Sequence, residues 1–331
     1  MEKIIAVVVS YNRHTQLVQC IEALRNQTRQ PDEILVVNNG STDYTSVWLD
    51  KQSDVEQFYQ ENVGSAGGYH AGIKWAYDNG YTWIWCMDDD SYPRYDALEM
   101  LMTHKGEGLS LLNSAVLNKS DKKTFVWKML SYKTIDEVSE NVIDGVCHPF
   151  NGALIHQKIV AQVGLPKSNL FFWGEGSEYY YRIVNQHQIA AKTITKSVQY
   201  HPAHTYEIRE DWNYASSWKM YFYVRNRYQV LQTKMGNKML SFIAYMCFMM
   251  AFCGVILFYQ KTDKLKKMAF AFSPMVHALT QNYTATADSV IEGLKASQKK
   301  TVMAVMASKL RKKMLCIFVP SFGENPGAAT I

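Results

Sequence analysis

Apolar runs and apolar spacings divide the first ninety residues into alternating elements. Ile4 to Val9 is a continuous, mostly β-branched run, the pattern of a strand buried on both faces. Ser10-Tyr11-Asn12-Arg13 follows as a polar turn. Thr15 to Asn26 carries Leu17, Cys20, Ile21 and Leu24 at helical spacing. Glu33 to Val37 predicts a second strand, ending in the turn-forming Asn38-Asn39-Gly40-Ser41-Thr42-Asp43. Strand, helix and strand with short connections make a βαβ unit, hence a right-handed crossover and a parallel sheet. Val55 to Tyr59 predicts a third strand. The segment from Asn62 to Gly68 is glycine-rich and opens an amphipathic helix through Ala71, Ile73, Trp75, Ala76 and Tyr77. Trp83 to Met87 predicts a fourth strand, ending in Asp88-Asp89-Asp90.

The pattern is sparser afterwards. Asn113 to Leu117 predicts a strand, Thr124 to Trp127 one arm of a hairpin, and Phe150 to Ile155 a strand. An aromatic run from Leu170 to Trp173 leads into Glu175 and Glu178. Thr193 to Tyr200 predicts a strand before His201-Pro202-Ala203-His204, and Trp212 to Gln232 a helix. Met239 to Tyr259 has twenty-one residues without a formal charge, the length of a membrane span. The pattern divides the chain into an α/β domain over 1–210 and a helical, basic region over 211–331.

With 47% hydrophobic and 20% charged residues among 331, wholesale disorder is excluded. The net charge of +5 is too mild to argue for nucleic acid. Its distribution says more. Between Lys261 and Lys313 eleven Lys and Arg face three acids, a local +8, so the remainder is slightly acidic. Lys261, Lys264, Lys266 and Lys267 follow the apolar stretch, and the basic run 309–313 precedes a second apolar piece, 314–319. Basic residues beside apolar segments suit an anionic membrane surface. The expectation is a helical appendage on the cytoplasmic face of the membrane, peripheral, with a single span over 239–259 as the alternative. The residues 323–331 read as a loose tail. Six cysteines form neither a disulfide framework nor a zinc signature. No signal peptide is read before the first strand. Both features point to a reducing cytosol.

The chemistry-bearing residues fall where strands end. Open α/β sheets bind ligands beyond the C-terminal ends of their strands, and four polar segments are predicted there. Three adjacent carboxylates repel one another unless they hold a cation that prefers oxygen ligands, Mg²⁺ or Mn²⁺. A solvated acidic turn is the plainer reading of the same residues. Backbone N–H groups of a glycine-rich loop opening a helix can approach a phosphate or sugar. Glu175 and Glu178, three apart, would share a face at a helix start, either as capping acids or as a base.

Val-Val-Val-Ser-Tyr-Asn-Arg, Val-Val-Asn-Asn-Gly-Ser-Thr-Asp, Asn-Val-Gly-Ser-Ala-Gly-Gly and Met-Asp-Asp-Asp together resemble the nucleotide-sugar-binding motifs of family 2 glycosyltransferases of the GT-A fold. The resemblance covers roughly the first 230 residues. The Gly-Gly loop with Asp-Asp-Asp looks most like the galactofuranosyltransferase branch, and rhamnosyltransferases using a dTDP-sugar are similar. It implies a UDP- or dTDP-linked donor held by Ser10, Tyr11, Asn12, Arg13, Asn38, Asn39, Asn62, Gly64, Gly67, Gly68, Asp88 and Asp89. It implies a divalent metal on Asp88 and Asp90, with His201 as third ligand and His204 in reserve. Asn38 stands where the family usually has Asp.

An inverting transfer needs a carboxylate base for the acceptor hydroxyl. The family places an Asp where this chain has Gly176, which leaves Glu175 as first candidate and Glu178 as second. Trp173 reads as an acceptor platform. Tyr223-Val224-Arg225-Asn226 resembles a family signature and offers Arg225 to the acceptor or to an ion pair. The implied acceptor is a glycan or a lipid-linked sugar in surface polysaccharide synthesis of the O-antigen type. Two other classes stay open. A nucleotidyltransferase would show a glycine-rich basic loop after the first strand, and Ser10 to Arg13 lacks glycine. A non-catalytic sugar-nucleotide binder is kept open by Gly176.

Overall fold

A computed structural model of the chain describes residues 2–106, 108–203 and 208–298. His204, the basic run 309–313, the apolar piece 314–319 and the tail lie outside these residues.

The N-terminal half builds β1 (Ile4–Ser10), α1 (His14–Arg25), β2 (Glu33–Asn38), α2 (Thr45–Leu49), β3 (Glu56–Tyr59), α3 (Gly64–Asp78) and β4 (Trp83–Asp88). The strands lie in the order β3-β2-β1-β4, all parallel. Why β1 is apolar throughout follows from its two covers. Ile4, Ala6 and Val8 pack with Leu17, Ile21 and Leu24 of α1. Ile5, Val7 and Val9 pack with Tyr69, Ile73 and Ala76 of α3. A strand with both faces covered reads as a continuous apolar run. The register pairs Ser10 with Asn38 and Val9 with Asp88. All three loops therefore leave the sheet at one edge.

The second part of the sheet contains β5 (Tyr92–Pro93), α4 (Ala97–Thr103), β6 (Ser110–Asn118), β7 (Thr124–Met129), β8 (Tyr132–Thr134), β9 (Val142–Asp144), β10 (Ala153–His156), α5 (Gln157–Val163), α6 (Glu175–Tyr181) and β11 (Ala190–His201). β10 runs antiparallel between β4 and β6, while β11 is parallel to β6. The sheet is therefore mixed but mostly parallel in its main layer, flanked by helices. β10 starts three residues later than Phe150, where the apolar pattern began. Phe150 and Gly152 adopt φ of 75° and 77°, which a strand backbone does not allow. A register shift on β11 between Ile194 and Val198 precedes the pairing of His201 with Asn118. Such a bulge re-aims a strand end.

Three long helices follow: α7 (Trp218–Met235), α8 (Lys238–Phe258) and α9 (Lys264–Leu279), with a further helical stretch over 287–298. α7 starts later than the periodicity implied, because Tyr214–Ser216 forms a separate tight turn in which the Asn213 side chain accepts from Ala215 N. α7 stops at Gly236, with φ 64°, and Asn237 Oδ1 accepts from Leu240 N to open α8, a C-cap glycine followed by an N-cap asparagine. These helices share a third core that includes Phe171 from the loop before α6.

Candidate active site

The acidic turn at the end of β4 is held by partners on every side. Tyr69 OH, from α3, donates to Asp88 Oδ1 at 2.6 Å and lies 2.9 Å from the carbonyl oxygen of Phe150. Ser10 Oγ donates to Asp89 Oδ2 at 2.9 Å. Arg13 donates to Asp89 Oδ1 at 3.3 Å and also pairs with Asp90. His201, at the end of β11, places Nε2 3.1 Å from Asp90 Oδ1. One oxygen from Asp88, one from Asp90 and a ring nitrogen of His201 lie within 4.8 Å of one another. Two carboxylates and one imidazole at that spacing fit a small divalent cation of the Mn²⁺ or Mg²⁺ kind.

Electrostatics separates the three acids. Burial, with the charge of Asp90 added, pushes the Asp88 carboxyl up to about 6. Burial pushes Asp89 up to about 7, against the pull of Arg13. Burial works the same way on Asp90, but its hydrogen bond with His201 and the Arg13 charge outweigh it and hold it below the ordinary carboxylate range. His201 is raised correspondingly, because the bond to Asp90 overcomes the burial that lowers it.

The loops after β1 and β2 are stitched to each other. Asn12, at φ 53°, accepts on Oδ1 from the backbone N–H groups of Thr42, at 2.7 Å, and Asp43, at 3.2 Å. Asn38 is fully buried, donates to Ser46 Oγ and accepts from Ser41 N. Its role in the structure is to shape the loop after β2, not to face the cleft. Asn39 and Asn62 do line the cleft, and Asn39 binds Asn62 Oδ1 and the Gly64 carbonyl. Tyr11 and Arg13 line it too.

The glycines divide in the same way. Gly64 lines the cleft at φ 75°, and a Cβ there would lie 2.0 Å from the Phe171 carbonyl oxygen. Gly67 and Gly68 sit inside α3, where a Cβ would strike the side chains of Val63 and Val9. Gly68 thus serves close packing of α3 against β1, and Gly67 the close approach of Val63 at the start of α3.

Glu175 and Glu178, the two candidate bases, go to opposite sides of α6. Glu175 opens α6 and lines the cleft. Ser65 Oγ donates to its Oε1 at 2.6 Å, while Oε2 is buried with no hydrogen-bond partner among the described residues. Burial pushes its carboxyl up to about 7, with the Asp88 charge adding to the effect. Glu178 is fully buried, pairs with Lys167 at 3.2 Å and Arg182 at 3.0 Å, and accepts from Thr233 Oγ1. With both oxygens held by cations, Glu178 acts as a tie between α6 and α7.

Trp173 lines the cleft, but Arg225 does not reach it. Arg225 is fully buried, lies over Phe222 with 4.8 Å to the ring centre, and donates to the Leu170 carbonyl at 2.8 Å. Its neighbour Asn226 donates to three carbonyls, of Leu170, Phe172 and Trp173, at 2.8, 2.9 and 2.6 Å. The pair fixes the segment from Phe171 to Gly174, in which Phe171, Trp173 and Gly174 all have positive φ. That segment presents both Trp173 and Glu175. Asn226→Ala removes this donor from the Phe172 and Trp173 carbonyls, while the Leu170 carbonyl keeps Arg225. It is expected to lower stability by about 2–4 kcal/mol and to reduce turnover. Thermal unfolding and kinetics on the same preparation check this, and unchanged turnover would detach Asn226 from Glu175.

The cleft has a volume of about 1110 Å³, roughly the upper end for a small-molecule site. Its far walls include Trp127, His148, Tyr180, Tyr181 and Lys219, none of which sequence spacing singled out. Tyr69 was missed as well. It belongs to the buried face of α3, and the only signal was a hydroxyl on an otherwise apolar stripe. The arrangement combines a cation-type acidic cluster with one buried, uncompensated carboxylate. It can bind a charged leaving group and accept a proton in one cavity.

Comparison with known proteins follows the same lines. Residues 5–162 match the family model described as Glycosyl transferase family 2. The galactofuranosyltransferase GlfT1 of Mycobacterium tuberculosis is 28% identical over 197 residues, 55% of this chain and 65% of that protein. Its namesake from Mycolicibacterium smegmatis is 28% identical over 223 residues, 63% of this chain and 74% of its own length. The match thus spans about two thirds of the mycobacterial relatives. Among solved structures, S. aureus TarS residues 1–349 in complex with UDP-GlcNAc superpose with a TM-score of 0.54 at 13% identity, covering 83% of this chain and 81% of that one. GalNAc-T7 with UDP, GalNAc and Mn²⁺ gives a TM-score of 0.50 at 13% identity, covering 61% and 43%. At such identities the likeness concerns the GT-A fold alone. The family match over residues 5–162, the mycobacterial relatives and the fold together support a family 2 glycosyltransferase that resembles galactofuranosyltransferases.

Proposed function

We propose that the chain transfers a sugar, with inversion, from a nucleotide-diphosphate donor to a hydroxyl of a glycan or lipid-linked acceptor. The observation that carries this reading is Glu175: a buried carboxylate with one oxygen unpartnered among the described residues, in the same cleft as Asp88, Asp90 and His201. In the reaction Glu175 Oε2 takes the proton of the acceptor hydroxyl as that oxygen attacks the anomeric carbon. Ser65 holds the other oxygen and so fixes the orientation of the carboxylate. Asp88, Asp90 and His201 would hold the divalent ion. Bound there, Mn²⁺ or Mg²⁺ supplies Lewis-acid neutralisation of the departing diphosphate. Asn39, Asn62 and Tyr11 are the side chains placed to meet the nucleoside, and Trp173 offers a flat face to the acceptor sugar.

The donor proposed is UDP-galactofuranose, supported by the mycobacterial relatives, with dTDP-rhamnose second. UDP as the nucleotide is in keeping with the UDP-GlcNAc of the TarS complex. The setting proposed is surface polysaccharide synthesis at the cytoplasmic face of the membrane, on an acceptor assembled there.

Incubation with Mn²⁺ and UDP-galactofuranose, dTDP-rhamnose or UDP-hexopyranoses in turn tests this. Release of UDP from UDP-galactofuranose, faster than from the pyranose donors, is expected. An NMR reading of the product anomer tests inversion. Consumption of a nucleoside triphosphate with a sugar 1-phosphate, and of no nucleotide sugar, would make the chain a nucleotidyltransferase. Binding of donor without turnover would make it a non-catalytic binder.

A further inference from the structure

α8 has two unlike faces. Ser241, Tyr245, Met249, Phe252 and Ile256 form a buried stripe. The opposite side carries no charged residue from Met239 to Tyr259, although it is exposed. Eleven of the twenty exposed large apolar side chains among the described residues fall between Met239 and Val276. α9 repeats the pattern, with Leu265, Phe272 and Val276 outward at i, i+7 and i+11. A surface helix of a soluble protein turns its polar side outward; these two turn apolar sides outward. The most exposed of these residues, Phe258 at 84% and Leu265 at 88%, flank the α8–α9 turn beside Lys261 and Lys264. Concentrated exposed apolar surface marks an interaction face.

The buried face decides how that surface can be used. Near the start of α8, Ser241 Oγ donates to the Leu231 carbonyl at 3.3 Å, and Tyr245 OH to the Val224 carbonyl at 3.1 Å. Just past its end, Gln260 accepts from Trp212 N at 3.1 Å and donates to the Glu210 carbonyl at 2.6 Å. The helix is tied at both ends to the body that carries the cleft. If α8 crossed a bilayer it would take α7 with it, and α7 contains Lys219, Arg225, Arg227 and Lys234. Charges at that depth are costly.

We propose that the α8–α9 pair lies flat on an anionic lipid bilayer, its outward apolar sides in the interface, and that α8 does not cross it. Charge complementarity names the occupant. Within residues 238–280 the lysines that reach the surface are Lys238, Lys261, Lys264 and Lys266, against the single acid Asp263, while Lys267 is buried on Asp211; basic residues beside an interfacial apolar face favour anionic lipid. This refines the membrane setting proposed above but needs no catalytic activity, and its test contains no nucleotide sugar. Failure here therefore leaves the glycosyltransferase reading standing.

The full chain is floated with vesicles of phosphatidylcholine, with and without phosphatidylglycerol. Binding that increases with phosphatidylglycerol and is released by alkaline carbonate is expected. The double variant Phe258→Glu with Leu265→Glu should bind at least about tenfold more weakly. Lys261→Glu with Lys264→Glu should lose the dependence on phosphatidylglycerol. Fluorophores at M239C, at Cys247 and at F258C should all be quenched best by shallow nitroxide lipids. Deep quenching at Cys247 alone, or resistance to carbonate, would show a span and overturn the proposal. Self-association without vesicle binding would assign the face to a second copy, and a monomer that ignores vesicles would leave it covered by residues 299–331. Either result overturns it as well.

Discussion

Replacing Glu175 with Gln is expected to lower turnover by about 10²–10⁴-fold and, above neutral pH, to make the protein more stable. Both effects come from the same burial. The glutamine keeps the bond from Ser65 Oγ, since its carbonyl oxygen can occupy the place of Oε1, but it cannot take a proton. In the wild type, burial raises the carboxyl from 4.5 to about 7. A group whose pKa is higher folded than unfolded contributes its stability below the unfolded value and loses it as pH rises through the folded one. Wild-type stability should therefore fall between about pH 4.5 and 7, where the unfolded chain releases the proton first. Glu175→Gln has no such slope. Its advantage should be near zero at pH 4.5 and grow to about 3 kcal/mol above pH 7. The rate should show the counterpart, an acid limb in kcat/KM near pH 7, since only the ionised form accepts the proton. Unfolding of both proteins across this range, with the wild-type pH–rate profile, checks the argument. A variant no more stable at pH 8, or a rate with no limb near 7, would remove Glu175 as the base.

How much of this could be read from sequence depended on whether a signal was local. β1 to β4 were legible because strands covered on both faces have no polar positions to confuse the pattern, and their ligand loops sit directly behind them. His201 was legible through the family resemblance, which expects a histidine after the β11 run. The choice between Glu175 and Glu178 was not, because spacing of three residues at a helix start says nothing about which side the cleft is on. That is decided by Lys167 before α6, Arg182 just after it and Thr233 on α7, which together take Glu178. Gly68 was ambiguous for a related reason. A glycine needed for close packing against Val9 looks in sequence like one needed for a phosphate. Arg225 had an apparent acceptor role, but its partners are carbonyls some fifty-five residues away. The direction of β10 was equally hidden, since an apolar run does not say which way it enters the sheet.

Asp90→Asn and Asp88→Asn should both abolish Mn²⁺ binding, yet shift the stability of the metal-free protein in opposite directions. As ligands, each should cost more than the roughly 10–100-fold that loss of a supporting partner costs a metal site. Mn²⁺ at about a hundred times its dissociation constant should stabilise the wild type by about 2.7 kcal/mol and leave both variants unchanged. Without metal the two acids differ. Asp90 is held below 3.8 by His201 and Arg13. Its ionised form therefore adds stability above pH 3.8, lost as pH falls, and Asp90→Asn should be less stable than wild type at neutral pH. Asp88 is pushed up to about 6 by burial and by Asp90. Its ionisation costs stability as pH rises from 3.8 to about 6, so Asp88→Asn should be more stable than wild type at pH 8, by about 3 kcal/mol at most. The asparagine oxygen can still accept from Tyr69 OH. An ordinary solvated acidic turn would behave differently: removing either charge would change stability little, and Mn²⁺ would not distinguish the variants from wild type. Spin-resonance titration of free Mn²⁺, together with unfolding in the presence and absence of metal at pH 8, separates the two. Retained Mn²⁺ affinity in either variant would place the ion elsewhere. Equal stability changes would mean that Asp88 and Asp90 do not differ as their partners imply.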